Sequence, residues 1–229
     1  METPKRIDIR SLTLAELQTQ LMAFGEPGFR AKQVYQWLWE KTCTNFDEMS
    51  NLSKSLRETL KTQFEICAVK IHQSQISEDR TIKNSFKLYD GNLVEGVLIP
   101  TTERMTACVS SQVGCSLDCK FCATSKLKRM RNLNPDEIYD QIVTINNQSL
   151  KYFKRPLSNI VFMGMGEPLM NYNNLIESIE KISSDKGLNI SQKRIVVSTS
   201  GIPKMIKKLA DENLKVNLAL SLHSAIEET

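Results

Sequence analysis

Between residues 107 and 221, apolar runs of strand length alternate with longer stretches whose apolar residues recur at helical spacing. The runs at 107–110, 159–163, 194–198 and 216–221 read as strands, and the segments at 135–146, 172–183 and 203–212 read as helices. A strand that returns parallel to its predecessor needs a crossover of about this length. The alternation therefore predicts an α/β fold of parallel βα units, a barrel or an open sheet. Four such units are visible, against the eight of a complete (βα) barrel.

The stretch before this core has a different period. Residues 11–64 read as helical. Thr13 and Glu16 make a capping-box pattern, Leu14, Leu17, Leu21 and Phe24 keep one face apolar, and Gly25 is placed to stop the helix. After Pro27-Gly28, Val34, Trp37 and Leu38 form a second stripe, and Leu52, Leu56, Leu60 and Phe64 a third. From residue 66 the pattern alternates: Val69, Ile71 and Gln73 begin it, 83–89 continue it, Asp90-Gly91 is a hairpin signal, and 93–99 is a further strand ended by Pro100. The reading divides the chain into a helical N-terminal accessory, RNA-binding domain at 1–65, a short antiparallel β linker at 66–101, and the first part of a barrel at 102–229. With 229 residues, 41% of them apolar, the chain is long enough for a small domain plus part of a larger one. Thirty Lys and Arg against 26 Asp and Glu make it mildly basic, which permits an RNA partner without demanding one.

Three cysteines, Cys115, Cys119 and Cys122, stand close together in the loop after the first core strand, with Phe121 just before the last. Thiolates are the usual ligands of iron–sulfur clusters and zinc, and this spacing brings several sulfurs within reach of one centre. A structural zinc site wants four protein ligands, and no histidine lies nearby, so zinc would have to borrow a distant donor. A cubane cluster held by three cysteines instead leaves one iron open to a ligand. The plainer alternative is three inert buried thiols. The sequence shows neither an apolar signal segment nor a run long enough to span a membrane, which points to a reducing, cytoplasmic setting in which close cysteines bind metal or do chemistry.

The other unusual residues fall where strands of a parallel sheet end, which is where such sheets bind ligands. Gly164-Met-Gly166-Glu167-Pro168 follows the second core strand, Ser198-Thr-Ser-Gly201 the third, and Ser221-Leu222-His223-Ser224 the fourth. Glycines there let a ligand approach the backbone, Glu167 offers an anionic acceptor for an ammonium group, and Ser198 and Ser221 can hydrogen-bond ribose or carboxylate oxygens. His223 either orients the same ligand or is a satisfied structural histidine.

The cysteine spacing with Phe121 resembles the signature of the radical S-adenosylmethionine (SAM) superfamily. In that superfamily the open iron chelates the amino and carboxylate groups of SAM, and electron transfer then cleaves the sulfonium to a 5′-deoxyadenosyl radical. The segments 106–115, 163–169, 197–201 and 221–223 resemble, within it, the RNA adenine-carbon-2 methyltransferases of the RlmN type. The resemblance implies a [4Fe-4S] cluster on Cys115, Cys119 and Cys122, and SAM contacts at Gly166, Glu167, Ser198, Ser221, Leu222 and His223. It implies Cys108 as the cysteine that resolves a covalent enzyme–RNA intermediate, and Glu95 as general base. Two SAM molecules per turnover would serve a ping-pong reaction, in which a second, methyl-carrying cysteine is the acceptor and Cys108 closes a disulfide that releases methylated RNA. Adenosines in 23S rRNA and tRNA are the implied substrates, a flavodoxin or ferredoxin system the electron donor, and the protein is expected to be a monomer with no membrane association. No residue here corresponds to the methyl-carrying cysteine, which the family has near its C-terminus. The 229 residues are therefore expected to be an N-terminal fragment that is inactive alone.

Taken by themselves, Cys108 has the alternative of a buried strand cysteine and Glu95 that of an exposed strand residue. Cys43 and Cys67 have no motif around them. Lys126, Lys128, Arg129 and Arg131 are either an RNA contact or a solvated loop. Two rival functions remain open on the sequence: methylation of carbon 8 of the same adenine, which would use the same cysteines, and a non-catalytic RNA- or metal-binding module.

Overall fold

The structure, a computed structural model, describes residues 6–222 and 224–226. The chain divides into two compact units after Ala68, with Asp185–Leu188 grouped with the first.

The first unit holds β1 (Ile7–Asp8), α1 (Leu14–Ala23), α2 (Phe29–Trp39), α3 (Lys54–Gln63) and β2 (Phe64–Glu65), with β1 and β2 paired in parallel. The capping box at α1 is formed: the Glu16 backbone N–H donates to Thr13 Oγ1 at 3.2 Å, and Glu16 Oε2 accepts from the Thr13 backbone N–H at 2.8 Å. Gly25 follows the helix with φ +79°, as its place past the last turn predicts. Leu17, Leu21, Ala31, Val34, Leu38, Leu56 and Leu60 are buried, so three helical stripes meet in one core. One expectation changes here. Trp39 rather than Trp37 is buried, because Trp37 donates its indole N–H to Asn51 Oδ1 at 2.5 Å and carries Lys41 3.8 Å above its ring. The β1–β2 pair has no periodic signal in two residues and is legible only in three dimensions.

The second unit holds β3 (Lys70–Ile76), β4 (Ile82–Lys87), β5 (Leu93–Pro100), β6 (Met105–Cys108), β7 (Gln112–Val113), β8 (Arg131–Asn132), α4 (Pro135–Phe153), β9 (Asn159–Phe162), α5 (Tyr172–Ser183), β10 (Ile195–Thr199), α6 (Pro203–Asp211) and β11 (Asn217–Leu220). Seven strands form one sheet in the order β11-β10-β9-β6-β5-β4-β3. Strands β6, β9, β10 and β11 run parallel and take α4, α5 and α6 between them, while β3, β4 and β5 continue the same sheet antiparallel. This is a partial (βα) barrel of the kind expected. The segment read as a separate linker at 66–101 differs: its strands hydrogen-bond directly to β6, so they extend the core sheet. An alternating pattern predicts a strand and not which strand it will join.

One face of this sheet is covered by helices. Val94, Leu98, Ala107, Ile160, Phe162, Ile195 and Val197 are buried on it, together with Ile138, Ile142 and Ile145 of α4 and Leu175, Ile179 and Ile182 of α5. The α4 residues are spaced four and three apart, which puts them on one stripe. The opposite face, carrying Glu95, Val97, Cys108, Val161, Val196 and Ser198, is exposed or half-exposed. β6 ends at Cys108, two residues earlier than the apolar run suggests. Beyond it the Ser110 backbone N–H is taken by Gln141 Oε1 of α4 at 3.0 Å, which leaves it no strand partner.

Candidate functional site

The cysteine loop is closed at its base by a small ladder in which Gln112 pairs with Asn132 and Val113 with Arg131. Within the loop the Cys122 backbone N–H donates to the Cys119 carbonyl at 3.0 Å. Ser125 Oγ donates to the carbonyls of Cys119 and Cys122 at 2.9 and 2.6 Å. These bonds turn the chain tightly around the second and third cysteines.

Cys115, Cys119 and Cys122 line one wall of a cavity of about 340 Å³. The other walls come from the carboxyl ends of three parallel strands: Gly166 and Glu167 after β9, Ser198 and Ser200 at β10, and Ser221 after β11. The fold thus gathers the three cysteines and four of the six expected SAM-contacting residues, Gly166, Glu167, Ser198 and Ser221, around one space. Leu222 is 68% exposed and does not line the cavity. His223 lies outside the described residues.

The resemblance implies a cluster on these three cysteines, and the chemistry of the donor set bears on it. A single tetrahedral ion needs its ligands about 2.3 Å from one point. Among the described residues no three His, Cys, Asp or Glu side chains converge in that way. The three thiols that line the cavity offer one thiolate to each of three irons of a multi-iron cluster. The electrostatics agree. Burial, then the neighbouring Cys115 and Cys122 sulfurs, Glu167 and Asp118, all push the Cys119 thiol above its ordinary range. Such a group of acids favours a cationic centre among them. The residues present fit a cluster.

Glu167 is 4% exposed, and its carboxylate is tied into the protein. Oε1 accepts from the Leu169 backbone N–H at 3.1 Å, and Oε2 from the Ser200 backbone N–H and hydroxyl at 2.9 and 3.1 Å. It therefore joins the β9 and β10 loops as well as facing the cavity. The glycine next to it lines the cavity and is also packed closely within the protein. Gly166 sits at φ +94°, and a Cβ there would lie 2.5 Å from Gln112 Cβ, so the close approach is to the protein's own side chain. Gln112 Oε1 in turn accepts from the Glu167 backbone N–H at 2.9 Å, and its Nε2 donates to Asn132 Oδ1 at 2.8 Å.

Sequence reasoning assigned no role to Gln112, Ser110, Gln141 or Ser200. Ser110 Oγ donates to the Glu95 carbonyl at 2.6 Å and accepts from the Met165 backbone N–H at 2.8 Å. Gln141 holds both backbone groups of Ser110, and Ser110, Gln112 and Gln141 are all fully buried. The available signal was the polar run Ser110-Ser-Gln112 directly after an apolar strand, where buried polar groups need partners.

Cys108 and Glu95 lie away from the cavity wall, on the half-exposed face of the sheet. Cys108 pairs with Val97 of β5 and Val161 of β9, and Glu95 stands two residues along from Val97 on the same face. Burial pushes the Cys108 thiol up, partly offset by a hydrogen bond from the Met163 backbone N–H. Glu95 is half-exposed and pairs with Lys83 Nζ at 2.8 Å. Of the basic group, Lys126, Lys128 and Arg129 are exposed, whereas Arg131 is bound by Asp90 and Glu137.

Residues 7–66 match the family model described as the ribosomal RNA large subunit methyltransferase N-terminal domain, and residues 109–229 match the radical SAM superfamily. The chain is 62% identical over 224 residues to a Christiangramia forsetii protein named "Probable dual-specificity RNA methyltransferase RlmN", covering 98% of this chain and 64% of that one. A Flavobacterium johnsoniae protein of the same name is 58% identical over 222 residues, covering 97% and 64%. A crystal structure of a radical SAM methyltransferase from Sphaerobacter thermophilus superposes with a TM-score of 0.86 at 38% identity, covering 95% of this chain and 64% of that one. The chain thus spans about 64% of the length of the relatives it matches. With the core match covering more than half of its residues, the chain belongs to the radical SAM superfamily, and its N-terminal match and these relatives make it similar to proteins of the RlmN type.

Proposed function

We propose that this chain carries the cluster-binding and SAM-binding part of an RNA methyltransferase that modifies carbon 2 of adenosine in 23S rRNA and tRNA. The observation that carries the reading is the convergence of Cys115, Cys119 and Cys122 with Gly166, Glu167, Ser198 and Ser221 on one cavity at the carboxyl ends of parallel strands. Cys115, Cys119 and Cys122 would hold a [4Fe-4S] cluster, which when bound would offer an iron without a protein ligand and one-electron chemistry for cleaving SAM. Carbon 2 of adenine is not nucleophilic, which is why radical chemistry is required there.

The chain's own residues have separate tasks in this reading. Glu167 holds the β9 and β10 loops together at the cavity wall, so that the Ser198 and Ser200 hydroxyls keep a constant position for the nucleoside and amino-acid parts of SAM. Cys108, its thiol raised by burial, keeps its proton at neutral pH until a base removes it, which restrains it from premature attack. Glu95 is the general base on the same sheet face, tethered by Lys83. His223 is the remaining expected SAM contact, whereas Leu222 stands outside the cavity wall. The helical first unit contributes RNA contacts, and a flavodoxin or ferredoxin system supplies electrons. The protein works as a cytoplasmic monomer, and among the described residues no helix is long and apolar enough to cross a membrane.

Anaerobic reconstitution with iron and sulfide tests the reading. The expected result is a brown protein with iron and sulfide near four per chain, lost in Cys119→Ala, that generates 5′-deoxyadenosine from SAM on reduction. Zinc in place of iron, or iron content unaffected by Cys119→Ala, would overturn it. Mass spectrometry of adenosine from RNA treated with the active protein locates the methyl group at carbon 2 or elsewhere.

A further inference from the structure

Arg131 stood among the basic residues suited to gripping RNA phosphate, but its guanidinium is already committed. Nη1 and Nη2 donate to Glu137 Oε2 and Oε1 at 2.7 and 2.8 Å, Nε donates to Asp90 Oδ2 at 2.6 Å, and Nη1 also donates to the Asn132 carbonyl at 3.1 Å. These bonds use most of the five N–H donors of the side chain. The plane lies over the Tyr89 ring, 4.8 Å from its centroid. Two carboxylates face the one guanidinium charge, and the Glu137 side chain is 1% exposed. A bidentate pair of this kind fixes direction as well as distance.

The partners stand on three different elements. Asp90 is in the turn between β4 and β5, Glu137 is in the first turn of α4, and Arg131 is in β8, the strand by which the chain leaves the cysteine loop. The connection continues to the entry strand. Gln141, one helical turn beyond Glu137, donates to the Glu137 carbonyl at 3.2 Å and holds Ser110, which donates to the Glu95 carbonyl at 2.6 Å. Both limbs of the loop, and the strand that carries Glu95, are thereby tied to one end of α4.

We infer that Arg131 is a positioning residue for the cluster: joined to Glu137 and Asp90, it fixes the exit limb of the cysteine loop so that Cys115, Cys119 and Cys122 stay in the arrangement a cluster requires. The inference rests on the cluster-binding reading above. A salt bridge that served stability alone would be interchangeable with any other contribution of equal size, and this one is not, because it clamps the loop at its base.

The test compares the parent protein with Arg131→Met, Arg131→Lys, Glu137→Gln and a core control, Ile142→Val, whose side chain belongs to the same helix and faces the sheet. Arg131→Met is expected to release iron to a chelator at least ten times faster than the parent and to alter the electron paramagnetic resonance spectrum of the reduced cluster. Arg131→Lys, which keeps the charge but not the fork, should fall between the two. Ile142→Val should lower the melting temperature while leaving iron release and spectrum at parent values. In the metal-free protein, amide hydrogen exchange over 112–132 should quicken at least tenfold in Arg131→Met and Glu137→Gln, and remain at the parent rate in Ile142→Val. Iron release, spectrum and exchange all unchanged in Arg131→Met would overturn the inference, as would equal changes in Ile142→Val. If the parent takes up no cluster, the cluster-binding reading fails, and the metal-free exchange rates then decide whether Arg131 clamps the loop.

Discussion

Replacing Gly166 by alanine separates two costs that are usually confounded, because the same unit contains a glycine that incurs only one of them. Gly91 has φ +83°, and a methyl group added to it would meet nothing within 4 Å, so Gly91→Ala carries only the conformational penalty. That penalty is about 1 to 2 kcal/mol for an L residue in the left-handed region, partly offset by the reduced freedom of the unfolded chain, and leaves a loss of roughly 1 kcal/mol. Gly166 has φ +94°, and its methyl would stand 2.5 Å from Gln112 Cβ, 2.7 Å from Cγ and 2.9 Å from the backbone nitrogen. None of these is the free end of a flexible chain, so Gln112 must shift, adding about 1 to 3 kcal/mol of overpacking. Gly166→Ala is thus expected to lose about 2 to 4 kcal/mol. It should also weaken the bond from the Glu167 backbone N–H to Gln112 Oε1, and with it SAM binding. Urea unfolding followed by far-UV circular dichroism measures the difference. Equal losses for the two variants, or a larger loss for Gly91→Ala, would refute the steric account of Gly166.

Two further predictions follow from charge. Burial opposes ionisation of Asp90, but hydrogen bonds from Arg131 and Asn92 outweigh it and hold its carboxyl at about 2. The depressed value means that Asp90 contributes its stabilisation above about pH 4 and loses it as pH falls towards 2, an effect of about 1 kcal/mol after solvent screening of this exposed residue is allowed for. The difference in unfolding free energy between the parent and Asp90→Asn should therefore shrink through that window, and a difference constant from pH 6 to pH 2.5 would refute it. For RNA binding, neutralising Lys126, Lys128 and Arg129 together should lower affinity and reduce the slope of log affinity against log salt by about 2, at roughly 0.7 to 0.9 per phosphate contact. An unchanged slope would remove these residues from the interface.

The parallel core was legible because its signals are local. Strand runs and helical stripes from 135 to 221 need only a window of a few residues, and the observed elements fall within a few positions of the reading except α4, which continues to Phe153. The sites at the strand ends were legible for the same reason: once a strand ends, the next residues must lie at the rim of the sheet. Cys115, Cys119 and Cys122 line the same cavity as Gly166 and Glu167 because their loops leave neighbouring parallel strands, β6 and β9.

Periodicity and spacing, which are written over short distances, thus carry the main helices and core strands and their order along the chain. The tertiary structure decided partnership. It joined β3, β4 and β5 to the core sheet, put the buried hydroxyl and amides of Ser110, Gln112 and Gln141 to work holding loops, spent the freedom of Gly166 on Gln112 and gave the charge of Arg131 to Asp90 and Glu137. Each of these depends on groups distant along the chain meeting within hydrogen-bonding or van der Waals range. A hydrogen bond or an ion pair acts over a few ångströms in space, and no pattern read along the chain contains that distance.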